Sequence, residues 1–143
     1  MLSKAILIAE KAHQGQVDKG GRPYIEHPLY VSKQLVTEEE KVVAILHDVC
    51  EDSDITLQDL KESGFPLSIL SAVDAITKRD CEDYSGYLER LGENKLAVKV
   101  KLADMMHNSD ISRIPTPSEK DRQRIEKYKQ KIAFLQENLK SLG

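Results

Sequence analysis

Four ionisable side chains crowd into six positions of this sequence: His47, Asp48, Glu51 and Asp52. They follow KVVAIL, a run that is apolar nearly all round a helix, so imidazole and carboxylate fall at the end of a buried segment. Unpaired buried charges cost several kcal/mol each, and a cluster of this kind calls for something to offset it. On a continuous helix EEEKVVAILHDVCED, His47 and Glu51 share one face and Asp48 and Asp52 another. The members of each pair are then about 6 Å apart along the axis, and the two faces about 100° apart. A single ion lying between the faces takes His47 and Asp48 together. Glu51 and Asp52 then sit beside it, where carboxylates orient or deprotonate a water. The plainer alternative is a solvated helix end carrying scattered charges.

Two further residues fit an ion there. His27 offers a neutral imidazole, although a His beside Pro28 also suits capping or packing. Asp104 lies among Leu102, Ala103 and Met105 with Asn108 four residues on along the same face. Two imidazoles and two carboxylates leave positions for water or phosphate oxygens on a cation such as Mn²⁺ or Fe²⁺. Cys50 reads as a small packed thiol, and His13 and His107 as packed or surface histidines, with His107 a possible pocket wall. Tyr24 and Tyr128 suit either the flank of a base or the core.

The elements that must position these groups are helical. Leu2, Ala5, Ile6, Ala9 and Ala12 recur at helical spacing behind Ser3 as cap, in a helix ending near Gly15. GQVDKGGRPYIEHP is a loop broken by Gly20, Gly21 and Pro23, with Tyr24 and Ile25 as apolar anchors. Pro28 suits the first turn of a helix running to about Val36, and Thr37 with Glu40 makes a capping box that opens the helix bearing the cluster. Thr56 caps a short helix to Gly64, Pro66 starts another through Thr77, and Tyr84 to Leu91 forms a further one. NKLAVKVKLADMMHNSDISRI reads as one long helix stopped by Pro115 and Pro117. Its alternation from Ala97 to Lys101 also admits a strand. Ser118 caps a terminal helix whose inner stripe is Ile125, Tyr128, Ile132, Leu135 and Leu139. The sum is one all-α domain over residues 1–143, a compact bundle of seven or eight helices.

Composition limits what such a bundle does. A length of 143 residues leaves room for one domain and one site. The net charge of −3 and the 5% of aromatic residues provide no footprint for nucleic acid or acidic lipid, so neither partner is expected. Two cysteines without CxxC spacing suggest a reducing cytoplasm, and neither a secretory signal nor a membrane span is recognisable.

In order and spacing, GQVDKGGRPYIEHP, AILHDVCEDSDIT, FPLSILSAVDAITK and VKLADMMHNSDISRI resemble the HD-domain phosphohydrolases of the alarmone hydrolase type. These are the hydrolase half of the RelA/SpoT enzymes and the stand-alone small alarmone hydrolases. The resemblance runs from about Ala9 to Ile114. It implies an HD-domain fold with His27, His47, Asp48 and Asp104 as metal ligands and Mn²⁺ as the usual ion. It also implies that Glu51 and Asp52 handle the attacking water and that Asn108 holds the substrate near its ribose. The implied reaction is hydrolysis of guanosine tetra- or pentaphosphate, releasing its 3′-pyrophosphate through a water activated by the metal.

Lys19, Tyr24, Lys101 and Asn108 are the candidate substrate contacts, with Arg22, Lys99 and Arg113 as further cations for phosphate. Two positions depart from the family pattern. Asp18 and Lys19 stand where the bifunctional enzymes usually carry an Arg-Lys pair, and Asp110 and Ile111 stand where Arg and Thr follow the Asn. Acids beside a polyanion keep open a phosphatase for another nucleotide or phosphorylated cofactor; a catalytically silent nucleotide-binding module is a further alternative, against which the intact Glu51 and Asp52 argue.

Overall fold

A computed structural model describes all residues except Lys19, Ile111, Arg113 and Gly143. Among the described residues there are nine helices and no strand beyond one isolated bridge, Val17 to Pro23. The helices are α1 (Leu2–Ala12), α2 (Glu26–Lys33), α3 (Glu38–Leu46), α4 (Val49–Asp52), α5 (Leu57–Glu62), α6 (Leu67–Ile76), α7 (Tyr84–Leu91), α8 (Lys95–Asn108) and α9 (Glu119–Leu142). The Ala97–Lys101 stretch is helical, and the strand alternative is excluded by its place inside α8.

Helix α3 is the axis of the bundle because its second half, Val42 to Leu46, is apolar on every face. Val42, Val43, Ala44, Ile45 and Leu46 are all fully buried, and α1, α2, α6 and α8 pack around them. Each such aliphatic side chain contributes about 1.5–3 kcal/mol on burial. The long α9 lies along α8 and presents Ile125 and Leu135 to the core, with Tyr128, Ile132 and Leu139 packed beside them. Capping boxes open three helices: Thr37 with Glu40, Thr56 with Asp59, and Ser118 with Asp121. The expected Ser3 cap is not formed, because α1 already begins at Leu2 with Met1 as its N-cap.

Three expected boundaries move. Helix α2 begins at Glu26, two residues before Pro28, and stops at Lys33, short of Val36. Helix α8 ends at Asn108, where Ser109 caps it, well before the prolines. The continuous helix expected through the acidic cluster is interrupted at His47 and Asp48, which lie between α3 and the single turn of α4. The His47 Nδ1–H donates to the Ala44 carbonyl at 2.5 Å, which is the acceptor an unbroken helix offers to the Asp48 N–H.

Candidate metal centre and its pocket

The interruption between α3 and α4 is what forms the site. It turns His47 and Asp48 inward from the end of the most buried helix, toward His27 in the first turn of α2 and Asp104 in α8. One ligand atom from each of His27, His47, Asp48 and Asp104 lies within 4.8 Å of the other three. These are the four residues the sequence singled out as ligands, drawn from two helices, α2 and α8, and the turn between α3 and α4.

The donor chemistry fits a divalent cation. His47 gives its Nδ1 proton to Ala44, so Nε2 is the nitrogen that faces the cluster. That Nε2 is 3.0 Å from Asp48 Oδ2 and 3.3 Å from Asp104 Oδ1, yet it is fully buried and makes no hydrogen bond to either. A lone pair and two carboxylate oxygens converging without hydrogen-bond geometry describe a shared coordination point. His27 Nε2 completes the group and, unlike His47 Nε2, is in hydrogen-bond contact with Asp104 Oδ1 at 2.7 Å.

Charge counting gives the same answer. Asp48 and Asp104 bring two negative charges, and Lys101, whose Nζ is 3.1 Å from Asp104 Oδ2, returns one positive charge. One negative charge is left for a cation or a proton to meet. Burial pushes the His47 imidazole down, but the Asp48 and Asp104 carboxylates outweigh it and raise it well above its ordinary value. Burial raises Asp48, and the His47 ring more than reverses this, holding it at about 2. Asp104 is likewise held well below the carboxylate range against its own burial, chiefly by Lys101 and His47. The Tyr24 hydroxyl is pushed up by burial and by Asp48, stays protonated, and donates to Asp48 Oδ2.

The two remaining acids stand at the solvent edge. Glu51 Oε1 accepts the Lys78 N–H at 2.6 Å, which fixes the carboxyl from the loop after α6. Surrounding protein raises Glu51, the Lys78 N–H opposes this, and Asp48 adds to the rise. Asp52 is raised by burial and then by Asp48, while its carbonyl is held by Gln16 Nε2 at 3.1 Å.

A cavity of about 290 Å³ opens beside the cluster, with His27, Tyr24 and Asn108 on its inner wall. Asp18 and Asp110 line it too, and α9 closes it with Arg124 and Tyr128. Asn108 Nδ2 also donates to Asp104 Oδ1 at 3.0 Å, so one amide joins the pocket to the ligand set. Lys101 does not line this cavity; its ammonium lies against Asp104 and over the Tyr87 ring at 5.5 Å. Lys19 and Arg113, two expected phosphate contacts, lie outside the described residues, as does Ile111. Arg22 is turned to Glu26 at 2.9 Å, and Lys99 lies 4.0 Å from Glu40.

The two acids at the departing positions act on their own loops. Asp18 Oδ1 accepts the Gly20 and Arg22 N–H groups, a turn completed by Gly21 at φ +83°. Asp110 Oδ1 accepts the N–H and hydroxyl of Ser112. Arg124, which sequence reasoning passed over, meets here with two histidines expected chiefly to pack or to lie at the surface. Arg124 stands 5.7 Å from the Tyr128 ring centroid and has a buried Nε without a hydrogen-bond partner. His13 is buried against Tyr24, and His107 touches His27. Helical spacing already set Arg124 and Tyr128 on one face of α9; nothing in the sequence set that face against His27.

No protein-family model matches the chain. It is 32% identical over 122 residues to the bifunctional (p)ppGpp synthase/hydrolase SpoT of Escherichia coli K12, covering 75% of this chain and 17% of that one. It is 36% identical over 117 residues to the guanosine-3′,5′-bis(diphosphate) 3′-pyrophosphohydrolase of Haemophilus influenzae, covering 71% and 17%. It is 31% identical over 126 residues to a GTP pyrophosphokinase of Myxococcus xanthus, covering 76% and 16%. The chain therefore spans about a sixth of the length of these curated relatives. Among solved structures it has the fold of one described as a metazoan ortholog of SpoT that hydrolyzes ppGpp. There the TM-score is 0.77 at 24% identity, over 96% of this chain and 84% of that one. In sequence and in fold, the chain resembles the HD-domain alarmone hydrolases.

Proposed function

We propose that residues 1–143 act as one metal-dependent pyrophosphohydrolase unit that removes pyrophosphate from the 3′ position of guanosine tetra- or pentaphosphate. The observation that carries the reading is the convergence of His27, His47, Asp48 and Asp104 around the unpartnered His47 Nε2. His27 Nε2, His47 Nε2 and one oxygen each of Asp48 and Asp104 would hold a divalent cation, a donor set open to Mn²⁺ or Fe²⁺, with Mn²⁺ the ion that the family resemblance implies. When bound, the cation lowers the pKa of water and draws charge from phosphoryl oxygens.

The chain's own groups do the rest. Glu51, anchored through Oε1, takes the proton of the attacking water, its raised pKa making it a better base than an ordinary carboxylate. Asp52 orients that water. The water oxygen joins the 3′-linked phosphorus, the bond from that phosphorus to O3′ breaks, and the proton taken by Glu51 passes to the departing O3′, which restores the carboxylate. Arg124, with an unmatched buried donor, and Asn108 hold phosphate and ribose, while Tyr24 and Tyr128 enclose the nucleoside. Lys101 balances Asp104 and only indirectly favours the polyanion. The free cysteines Cys50 and Cys81 suit a cytoplasmic setting. Among the described residues, no helix is long and apolar enough to cross a membrane.

A second reading has its own observation. Asp18 and Asp110 line the pocket where the bifunctional enzymes carry basic residues, which favours a less anionic substrate such as a phosphorylated cofactor. One experiment separates the two: the Mn²⁺-loaded chain with a panel of nucleotides, scoring pyrophosphate against phosphate release. Pyrophosphate from guanosine tetraphosphate supports the first reading. Phosphate from a monophosphorylated cofactor, with the tetraphosphate untouched, replaces it with the second, and no release from any leaves a silent binding module.

A further inference from the structure

His27 and His107 are 80 residues apart in sequence, and their Nδ1 atoms are 2.6 Å apart. Their ring centroids are 4.9 Å apart and the ring planes differ by 7°. The nitrogens are far closer than the centroids, so the rings meet edge to edge, nearly in one plane, which aligns one Nδ1 lone pair with the other Nδ1–H. Two hydrogens do not fit between nitrogens at that distance, so the pair shares one proton.

A face of the His107 ring is covered as well. Tyr30 stacks on it with centroids 4.1 Å apart and planes 19° apart, which fixes the ring's tilt. His107 therefore reaches His27 from a braced position on the last turn of α8, three residues beyond Asp104.

We propose that His107 is a positioning residue that holds His27 in the tautomer needed for coordination. The proposal rests on the metal reading above. For His27 Nε2 to present a lone pair beside Asp104, the ring's proton must sit on Nδ1, and that proton needs an acceptor. At His47 the acceptor is the Ala44 carbonyl. At His27 it is the Nδ1 of a neutral His107 whose own hydrogen lies on Nε2. Ligand-supporting partners of this kind change metal affinity by about 10- to 100-fold when removed.

The test uses Mn²⁺ alone as the probe, titrated calorimetrically into the full chain. His107→Phe keeps a flat ring for Tyr30 and removes the acceptor; His107→Asn keeps an acceptor near the Nδ1 position and removes the ring. The expected result is Mn²⁺ affinity about 10- to 100-fold weaker in His107→Phe and within about threefold of wild type in His107→Asn. Unfolding midpoints of the metal-free variants identify any purely structural loss. Equal affinity in wild type and His107→Phe overturns the proposal, as does equal loss in both variants.

If the wild-type chain binds no Mn²⁺, the metal reading itself fails, and the histidine pair is judged by nitrogen NMR of the metal-free protein. A scalar coupling between the two Nδ1 nuclei through one shared proton supports the pairing, and separate Nε2–H tautomers with no coupling refute it.

Discussion

Lys101→Met probes the electrostatic core of the site directly, because methionine retains most of the aliphatic stem and removes only the charge. The Lys101 ammonium is 3.1 Å from Asp104 Oδ2, with the two side chains 15% and 6% exposed. At that distance and an effective dielectric of about 20, the gross attraction is about 5 kcal/mol. Desolvation offsets part of it, but removing one partner leaves the other buried and unmatched, which costs about 3–5 kcal/mol. In a chelator, where no cation replaces the lysine, urea denaturation should show a loss of about 3 kcal/mol. This is a large part of the 5–15 kcal/mol typical of a domain.

Saturating Mn²⁺ should restore part of that loss, because the cation meets the charge that Lys101 had met. By linkage, the variant must then bind Mn²⁺ more tightly than wild type, about 30-fold for each 2 kcal/mol restored. A double-mutant cycle with Asp104→Asn should show strong coupling, each single loss exceeding its increment in the double variant. Stability in chelator within about 0.5 kcal/mol of wild type, or weaker Mn²⁺ binding in Lys101→Met, refutes this account of the charge balance.

Other outcomes follow from the same geometry. Glu51→Gln should keep Mn²⁺ affinity and the unfolding midpoint while turnover falls about 100- to 10,000-fold, as expected for a lost general base; loss of metal instead would make Glu51 a ligand. Arg124→Gln removes an ionic hydrogen-bond donor worth about 1.5–3 kcal/mol, so KM for the polyphosphate should rise about 10- to 150-fold at unchanged Mn²⁺ affinity. Glu82 predicts a pH dependence. Hydrogen bonds from Arg90, which also donates to the carbonyls of Asp74, Ala75 and Thr77, hold its carboxyl at about 2 against an ordinary 4.5. Its stabilising contribution is therefore complete above pH 4.5 and lost as pH falls toward 2. Urea midpoints from pH 5 to pH 2 should fall more steeply in wild type than in Glu82→Gln, and parallel curves would contradict this.

The sequence was most readable where one local rule governs. Thr37 with Glu40 and Ser118 with Asp121 are short-range capping patterns, and each opens the helix it announces. Of the four candidate ligands, His47, Asp48 and Asp104 stood out because buried charge demands compensation whatever the fold, whereas His27 joined them through the family resemblance. Less legible was anything decided by competition or by distant contact. The helix interruption at His47 depends on a side chain taking the Ala44 carbonyl, which periodicity does not register. The pairing of His107 with His27, and the closure of the pocket by Arg124, arise only when α2, α8 and α9 are packed together. Asp18 and Asp110 read as acids facing a polyanion, yet each also caps its own loop, a use that short polar side chains share with many turns.

The central claim, a cation held by residues from both halves of the chain, is tested most directly by anomalous diffraction from crystals of this protein grown with Mn²⁺. The account predicts one strong manganese peak per chain within coordination distance of His27 Nε2, His47 Nε2, Asp48 and Asp104. A well-ordered structure with no peak among those four residues, or with the manganese held elsewhere, would contradict it.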